Sequence, residues 1–445
     1  MNKRIGYLIV FLGIFTPPSL KSMILDNFNP YKITCEDFFG QINRYTNFMS
    51  DQLGQRPGAA PFGQAVIFPA TDKVVAMSDF HGDIGAFVSN IRQLQELGYV
   101  DSSCCFYNNV RLIITGDLGD RGDYSIATWF LALKLQELNP EHVFILQGNH
   151  ESTNLLDYFR GLRLELIQKN KINESFQESE LEVVVNNFFC SLPQVMCVGV
   201  RNAHDVIAFQ HYSHAGPGTY GTPDNQTEID LKPLLKDSCR AEIGTLCYQI
   251  FNGRPQTIGF VWNDIVGKGY GIARSDRCGE ANQAILSFSE EATKFYMQKM
   301  SQLNQFQVEV MVVGHGHKGG VCKLYNGKWR QLNGEQEIAL GSVFMVTSTS
   351  HQLMGGRNGF SVLAFDEENQ IFKITPYPLV ENEASLSEAS DFKFNDLGNM
   401  SYSQRQSESV ELSGSFSFTH RQAKPFDGVN HLFGSDESSQ SFDHE

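Results

Sequence analysis

Four apolar runs in this chain each end abruptly at a polar cluster. Val74-Val75-Ala76-Met77 leads into Asp79-Phe80-His81-Gly82-Asp83, and Leu112-Ile113-Ile114 leads into Gly116-Asp117-Leu118-Gly119-Asp120-Arg121-Gly122. Val143-Phe144-Ile145-Leu146 leads into Gly148-Asn149-His150-Glu151, and Val310-Met311-Val312-Val313 into Gly314-His315-Gly316-His317. Short apolar runs closed by turn residues read as buried strands. Helical patterns lie between them, over 84–97, 126–138 and 181–189. Strand–loop–helix units put ligands on loops at strand C-terminal ends. The chain is therefore expected to be α/β, with the four strands delivering side chains to one edge.

Those side chains are carboxylates, imidazoles, an amide and an arginine. That inventory suits two divalent metals and a phosphate. On an extended segment residues i and i+2 point the same way, so Asp79 and His81 are expected to bind a single metal. Asp117 has two oxygens with which to bridge two metals, and Asn149 offers an amide oxygen to the second. His315 and His317 repeat the i, i+2 spacing. Oxygen and imidazole ligands without thiolates suit Mn²⁺, with Fe or Zn²⁺ as alternatives.

The 445 residues and 41% hydrophobic content allow a substantial core. A net charge of −15 argues against a general nucleic-acid binder, because phosphate backbones are held mainly by Lys and Arg. Nine cysteines without CxxC pairs suggest reduced thiols. Lys3 and Arg4 precede an apolar run over 5–15 and then Pro17-Pro18. Residues 1–22 thus suit a secretory signal, and equally an ordinary buried element; the run is too short to span a bilayer. Residues 215–259 are rich in Gly, Pro, Asn and Asp and read as an insertion beside the site. Residues 381–445 hold 14 Ser, 12 acidic residues and four Lys or Arg, which reads as a disordered tail after a catalytic domain over 23–380.

The ordered motifs resemble the calcineurin-like metallophosphoesterase superfamily. They are most similar to PPP-type serine/threonine phosphatases, whose pattern is GDxHG, GDxVDRG and GNHE. The likeness continues at His214-Ala215-Gly216, Val261-Trp262-Asn263-Asp264 and Val346-Thr347-Ser348-Thr349-Ser350. It implies a four-layer α-β-β-α sandwich, two mixed sheets flanked by helices, with the site at strand C-terminal ends. It also implies a first metal held by Asp79, His81 and Asp117, and a second by Asp117, Asn149, His214 and His315. His211 is a rival to His214. His317 departs from the PPP pattern but fits the wider superfamily as an extra ligand. Other departures are Ser78 and Gly119, and Asp83, which adds negative charge near the mouth.

In this resemblance Arg121 grips phosphate through a planar fork. Arg277 is the second arginine, with Arg274 as the alternative. His150 is the general acid and Asp120 orients it. The implied reaction is hydrolysis of phosphomonoesters on protein Ser/Thr or Tyr by direct attack of metal-bound hydroxide. Phosphorylated proteins are then the partners; oligomeric state is not legible. A nucleotide pyrophosphatase or phosphodiesterase on the same fold is the alternative, followed by an interaction protein with a vestigial site. The signal-like start and Ser/Glu-rich tail make the whole similar to Wip-type bacterial effector phosphatases, which implies secretion into a host cell; otherwise the expectation is cytoplasmic.

Overall fold

The computed structural model describes residues 25, 28–53, 62–151, 162, 165, 178–201, 207–217, 246–249, 259–266, 271–275, 285–304, 307–349 and 359–378. The signal-like segment, the tail, Arg277 and most of the 215–259 insertion lie outside them. In chain order come α1 (Cys35–Leu53), β1 (Phe62–Phe68), β2 (Lys73–Met77), α2 (Ile84–Glu96), β3 (Val110–Ile114), α3 (Ser125–Leu138) and β4 (Val143–Ile145). Next are α4 (Glu178–Cys190), β5 (Val195–Arg201), β6 (Ile207–Ser213), β7 (Leu246–Gln249), α5 (Gly259–Trp262), β8 (Asp264–Ile265), β9 (Ile272–Arg274) and β10 (Leu286–Phe288). The remainder is α6 (Glu290–Asn304), β11 (Gln307–Val313), β12 (Gly320–Tyr325), β13 (Lys328–Gln331), β14 (Gln336–Glu337), β15 (Ser342–Thr347), β16 (Gly359–Asp366) and β17 (Ile371–Pro378). No described helix is long and apolar enough to cross a membrane.

Side chains alternate across a strand, and here the alternation builds four layers. In β2 and β3, Val75, Met77, Leu112 and Ile114 face a cluster with Phe38 of α1, Phe87 of α2, Trp129 of α3 and Phe188 of α4. Their neighbours Val74, Ala76 and Ile113 face the other way, onto Val66, Met196, Val198, Tyr212, Val310 and Val312 of the second sheet. The outer face of that sheet, with Cys197, Phe209 and Met311, packs on Phe260 of α5 and on Tyr296 and Met297 of α6. Each fully buried Leu, Ile or Phe contributes about 1.5–3 kcal/mol. The fold is the expected four-layer α-β-β-α arrangement.

One sheet has the order β14-β17-β16-β2-β3-β4 and the other β13-β12-β15-β11-β6-β5-β1-β7; β8-β10-β9 form a third, small sheet. In the six-stranded sheet β2, β3 and β4 are parallel. In the eight-stranded sheet β6, β11 and β15 are parallel. Each trio therefore ends its strands on one side. The ligand-bearing segments follow β2, β3 and β4 in one sheet and β6 and β11 in the other. The edge expected from four strands is a meeting of two sheet edges. The helix expected over 181–189 starts earlier, at Glu178. Its first turn is polar, and apolar periodicity does not register a polar turn.

Candidate metal centre

Ten described non-glycine residues have positive φ, and seven of them are candidates from the sequence. They are Asp79 (55°), His81 (48°), Asp117 (54°), Asp120 (70°), Arg121 (70°), His315 (65°) and His317 (44°). The extended i, i+2 geometry expected for Asp79–His81 and His315–His317 is thus replaced by left-handed kinks. The kinks fold the chain back on itself beyond the strand ends. This leaves loop amides free to pair with one another. Asp79 N donates to Gly116 O (3.1 Å), His81 N to Asp117 O (2.8 Å), and Gly122 N to His81 O (2.9 Å). A left-handed L residue costs about 1–2 kcal/mol, and such strain collects at functional sites.

Close approach requires glycine at Gly148. A Cβ there would lie 2.2 Å from Asp117 Oδ1 and 2.5 Å from Glu151 Oε2. Glu151 is buried, and its Oε2 accepts from Asp117 N (2.8 Å) and Gly148 N (2.9 Å). Its Oε1 accepts from Leu118 N (3.1 Å). This carboxylate ties the second motif to the third. Burial first, then the charge of Asp117, pushes Glu151 up to about 8. The motif contains Glu151 but does not mark this role, because two of the amides that surround it, Asp117 N and Leu118 N, come from a distant segment.

Two groups of side chains converge. Asp79, His81, Asp117 and His317 bring one ligand atom each within 4.8 Å of one another, and so do Asp117, His214 and His315. In the first group His317 Nε2 lies 3.0 Å from Asp79 Oδ1 and 3.1 Å from His81 Nε2. His81 Nε2 is 3.4 Å from Asp117 Oδ2. In the second, His214 Nε2 lies 3.2 Å from Asp117 Oδ2. Asn149 Oδ1 is 2.8 Å from both His214 Nε2 and His315 Nδ1, which are 3.2 Å apart. Ligand bonds of about 2.1 Å set neighbouring ligand atoms about 3.0 Å apart in an octahedron and about 3.4 Å apart in a tetrahedron. The observed spacings run from 2.8 to 3.4 Å, close to those values.

Proton accounting supports a cation. His214 Nδ1 is 3.0 Å from Thr115 O, which can only accept, so Nδ1 carries a proton. In the neutral ring the Nε2 lone pair then faces the oxygens of Asn149 and Asp117. Asp117 Oδ2 is itself buried with no hydrogen-bond partner of good geometry. Burial alone would lower His214, but Asp117, Asp79 and Glu151 outweigh it and raise it to about 9; with no ion the ring would therefore carry a second proton on Nε2, the place a divalent ion would fill. Burial opposes ionisation of Asp79 and Asp117 too, yet the surrounding histidines hold both below the usual carboxylate range. The residues present fit divalent metal.

Beside the first group, His150 Nε2 lies 4.0 Å from Asp117 Oδ2, and His150 N donates to Asp117 Oδ1 at 3.0 Å. His150 Nδ1 is 2.6 Å from Asp120 Oδ2, and Arg121 Nη2 is 2.8 Å from His150 Nε2. Arginine only donates, so Nε2 accepts and Nδ1–H donates to Asp120. His211 is not brought to the site. It lies in β6, buried between Phe260 and Tyr296, with neither ring nitrogen hydrogen-bonded. Arg274 ends β9 on the described backbone. Asp83, expected as charge at the mouth, caps α2 by accepting from Ala86 N at 2.9 Å. Ser78 does not have positive φ, so its replacement of glycine is unstrained.

A family model for calcineurin-like phosphoesterases matches residues 72–319. The chain is 23% identical over 257 residues to Shewanella-like protein phosphatase 1 of Plasmodium berghei, covering 55% of this chain and 60% of that protein. It is 27% identical over 100 residues to serine/threonine-protein phosphatase 7 of Arabidopsis thaliana, 22% of each chain. The match thus spans about three fifths of the first relative's length and about a fifth of the second's. A solved protein serine/threonine phosphatase from Saccharomyces cerevisiae, with similarity to human PP5, shares the fold. Its TM-score is 0.51 at 16% identity, over 82% of this chain and 98% of that one. With the family match covering more than half of its length, the chain belongs to the calcineurin-like phosphoesterase family.

Proposed function

We propose that this protein hydrolyses phosphomonoesters on protein side chains, Ser/Thr or Tyr, with two divalent metals. The observation that carries this is the position of Asp117. One buried oxygen of it stands 3.4 Å from His81 Nε2 and 3.2 Å from His214 Nε2, so the two groups share one carboxylate. Asp79, His81, Asp117 and His317 would hold one ion, and Asp117, Asn149, His214 and His315 the other. When bound, such ions lower the pKa of a water and neutralise charge on the phosphoryl oxygens.

The chain's own residues supply the rest. Arg121 presents its fork to two phosphoryl oxygens. Doing so draws its guanidinium off His150 Nε2. That nitrogen is then able to hold the proton for the leaving oxygen, while Asp120 fixes the ring by accepting from Nδ1–H. No side chain is phosphorylated on the way. Arg277, or Arg274 in its place, is the second phosphate-binding arginine.

The test is metal analysis of purified protein, with turnover of phosphopeptides, p-nitrophenyl phosphate and bis-p-nitrophenyl phosphate in Mn²⁺. Two equivalents of metal and preference for monoesters are expected. Absence of metal-dependent turnover would sink the proposal. A second reading, a phosphodiesterase or nucleotide pyrophosphatase, draws support from His317 at 3.0 Å from Asp79. Preference for the bis-aryl ester would favour it.

A further inference from the structure

A cavity of about 480 Å³ opens beside His315 and His317. Its lining also includes the charged Asp264 and Lys318 and the apolar Ile265, Val266, Trp329 and Met345. Trp329 donates Nε1–H to Ile265 O at 3.4 Å, which fixes the indole between β13 and β8. Met345 reaches the cavity because Gly316 has no side chain; a Cβ there would lie 2.5 Å from its sulfur. Val266 leaves 37% of its surface in solvent. Within this mixed lining a fixed aromatic wall, an adaptable thioether and an exposed aliphatic residue make one apolar patch.

This space is far larger than a phosphoryl group needs. Arg121 and His150 are not among its lining residues. The His81 ring stands between the two regions, 4.8 Å from the His150 ring and 5.1 Å from that of His317. A leaving group directed at His150 therefore leaves the cavity to another part of the substrate. We infer that it takes the apolar side chain of a residue adjoining the phosphorylated one, such as Leu, Met or Phe. This rests on the phosphoprotein reading above. Full burial of one such side chain is worth about tenfold or more in selectivity.

The test uses the full chain in Mn²⁺ and a set of phosphopeptides. The residue on each side of the phosphorylated one is set in turn to Leu, Phe, Gly or Asp. Each kcat/KM is divided by that for p-nitrophenyl phosphate, which has no neighbour to bind. Leu or Phe on one side is expected to exceed Gly and Asp by about tenfold, and Trp329→Ala to shrink this to about twofold. Val266→Asp, on the exposed rim, tests the same point if Trp329→Ala does not fold; it should cut the Leu preference and favour Lys. Equal turnover of all peptides, or a preference that survives both variants, overturns the subsite alone. Turnover of p-nitrophenyl phosphate but of no phosphopeptide overturns the phosphoprotein reading and the subsite with it. If removing residues 381–445 raises turnover of every peptide equally and Trp329→Ala reproduces that rise, the cavity holds the chain's own tail and the inference falls.

Discussion

Gly119 lies against the indole of Trp129: a Cβ on Gly119 would stand 3.0 Å from Trp129 Nε1 and 3.2 Å from its Cδ1. The family pattern has a bulky residue where this chain has Gly119. Trp129 takes the space instead, buried and edge-on to Phe188 at 5.0 Å. Gly119→Val should therefore overpack the loop and destabilise by about 1–3 kcal/mol. Thermal unfolding would measure it. Trp129→Phe in the same chain should restore part of the loss; no recovery would mean the two residues are not exchanging volume.

Asp117→Ala removes the carboxylate shared by both groups. Bound metal, read by elemental analysis, should fall from two equivalents to one or none. Turnover should drop by at least about a thousandfold, as expected where charge stabilisation is lost at the reacting centre. Full metal content with near-normal turnover would remove Asp117 from the centre.

His150→Asn should slow substrates with poor leaving groups far more than nitrophenyl esters, since only the former need a proton. Asp120→Asn should show the same pattern more weakly, because it disturbs the tautomer and leaves the imidazole in place. Arg121→Lys should lower turnover of both classes, a point charge being unable to reproduce a fork. Equal losses for good and poor leaving groups in His150→Asn would deny it the role of acid.

His211 offers a pH experiment away from the proposed ligands. Burial lowers it to about 3, below its ordinary value of about 6.5. Between these values the unfolded chain binds a proton that the folded chain does not. Stability is thus fully present above pH ~6.5 and declines as pH falls toward 3, by up to about 1.4 kcal/mol per unit. From pH 7 to 4.5 the loss should be about 2.5 kcal/mol. Denaturant unfolding of His211→Phe should show a shallower acid slope than the parent chain; identical slopes would show that His211 is not the group responsible.

The strands and most of the centre were legible because apolar runs and ligand types are local facts. Asp79, His81, Asp117, Asn149, His214, His315 and His317 all converge in the two groups. What was not legible depends on pairing across the chain. That β6 and β11 belong to a different sheet from β2, β3 and β4 is set by long-range registers. Glu151 became visible only when distant loop amides were seen to surround it. Asp83 is ambiguous in sequence because an acid before a helix serves equally as cap or as mouth charge. Left-handed φ at Asp79 and His81 has no marker, since neither is glycine.

Those left-handed residues leave the site more strained than the sheets that carry it. Seven such positions, at about 1 kcal/mol each, approach the whole net stability of a typical domain. They are held by packing of the strand ends, so loosening that packing releases the loops before the sheets. On warming, turnover should therefore fail below the temperature at which the sheets melt. Arg121→Gly, at φ 70°, should narrow the gap between loop and sheet melting even as it abolishes phosphate grip. In such a protein heat tolerance and catalytic competence pull the same few backbone angles in opposite directions.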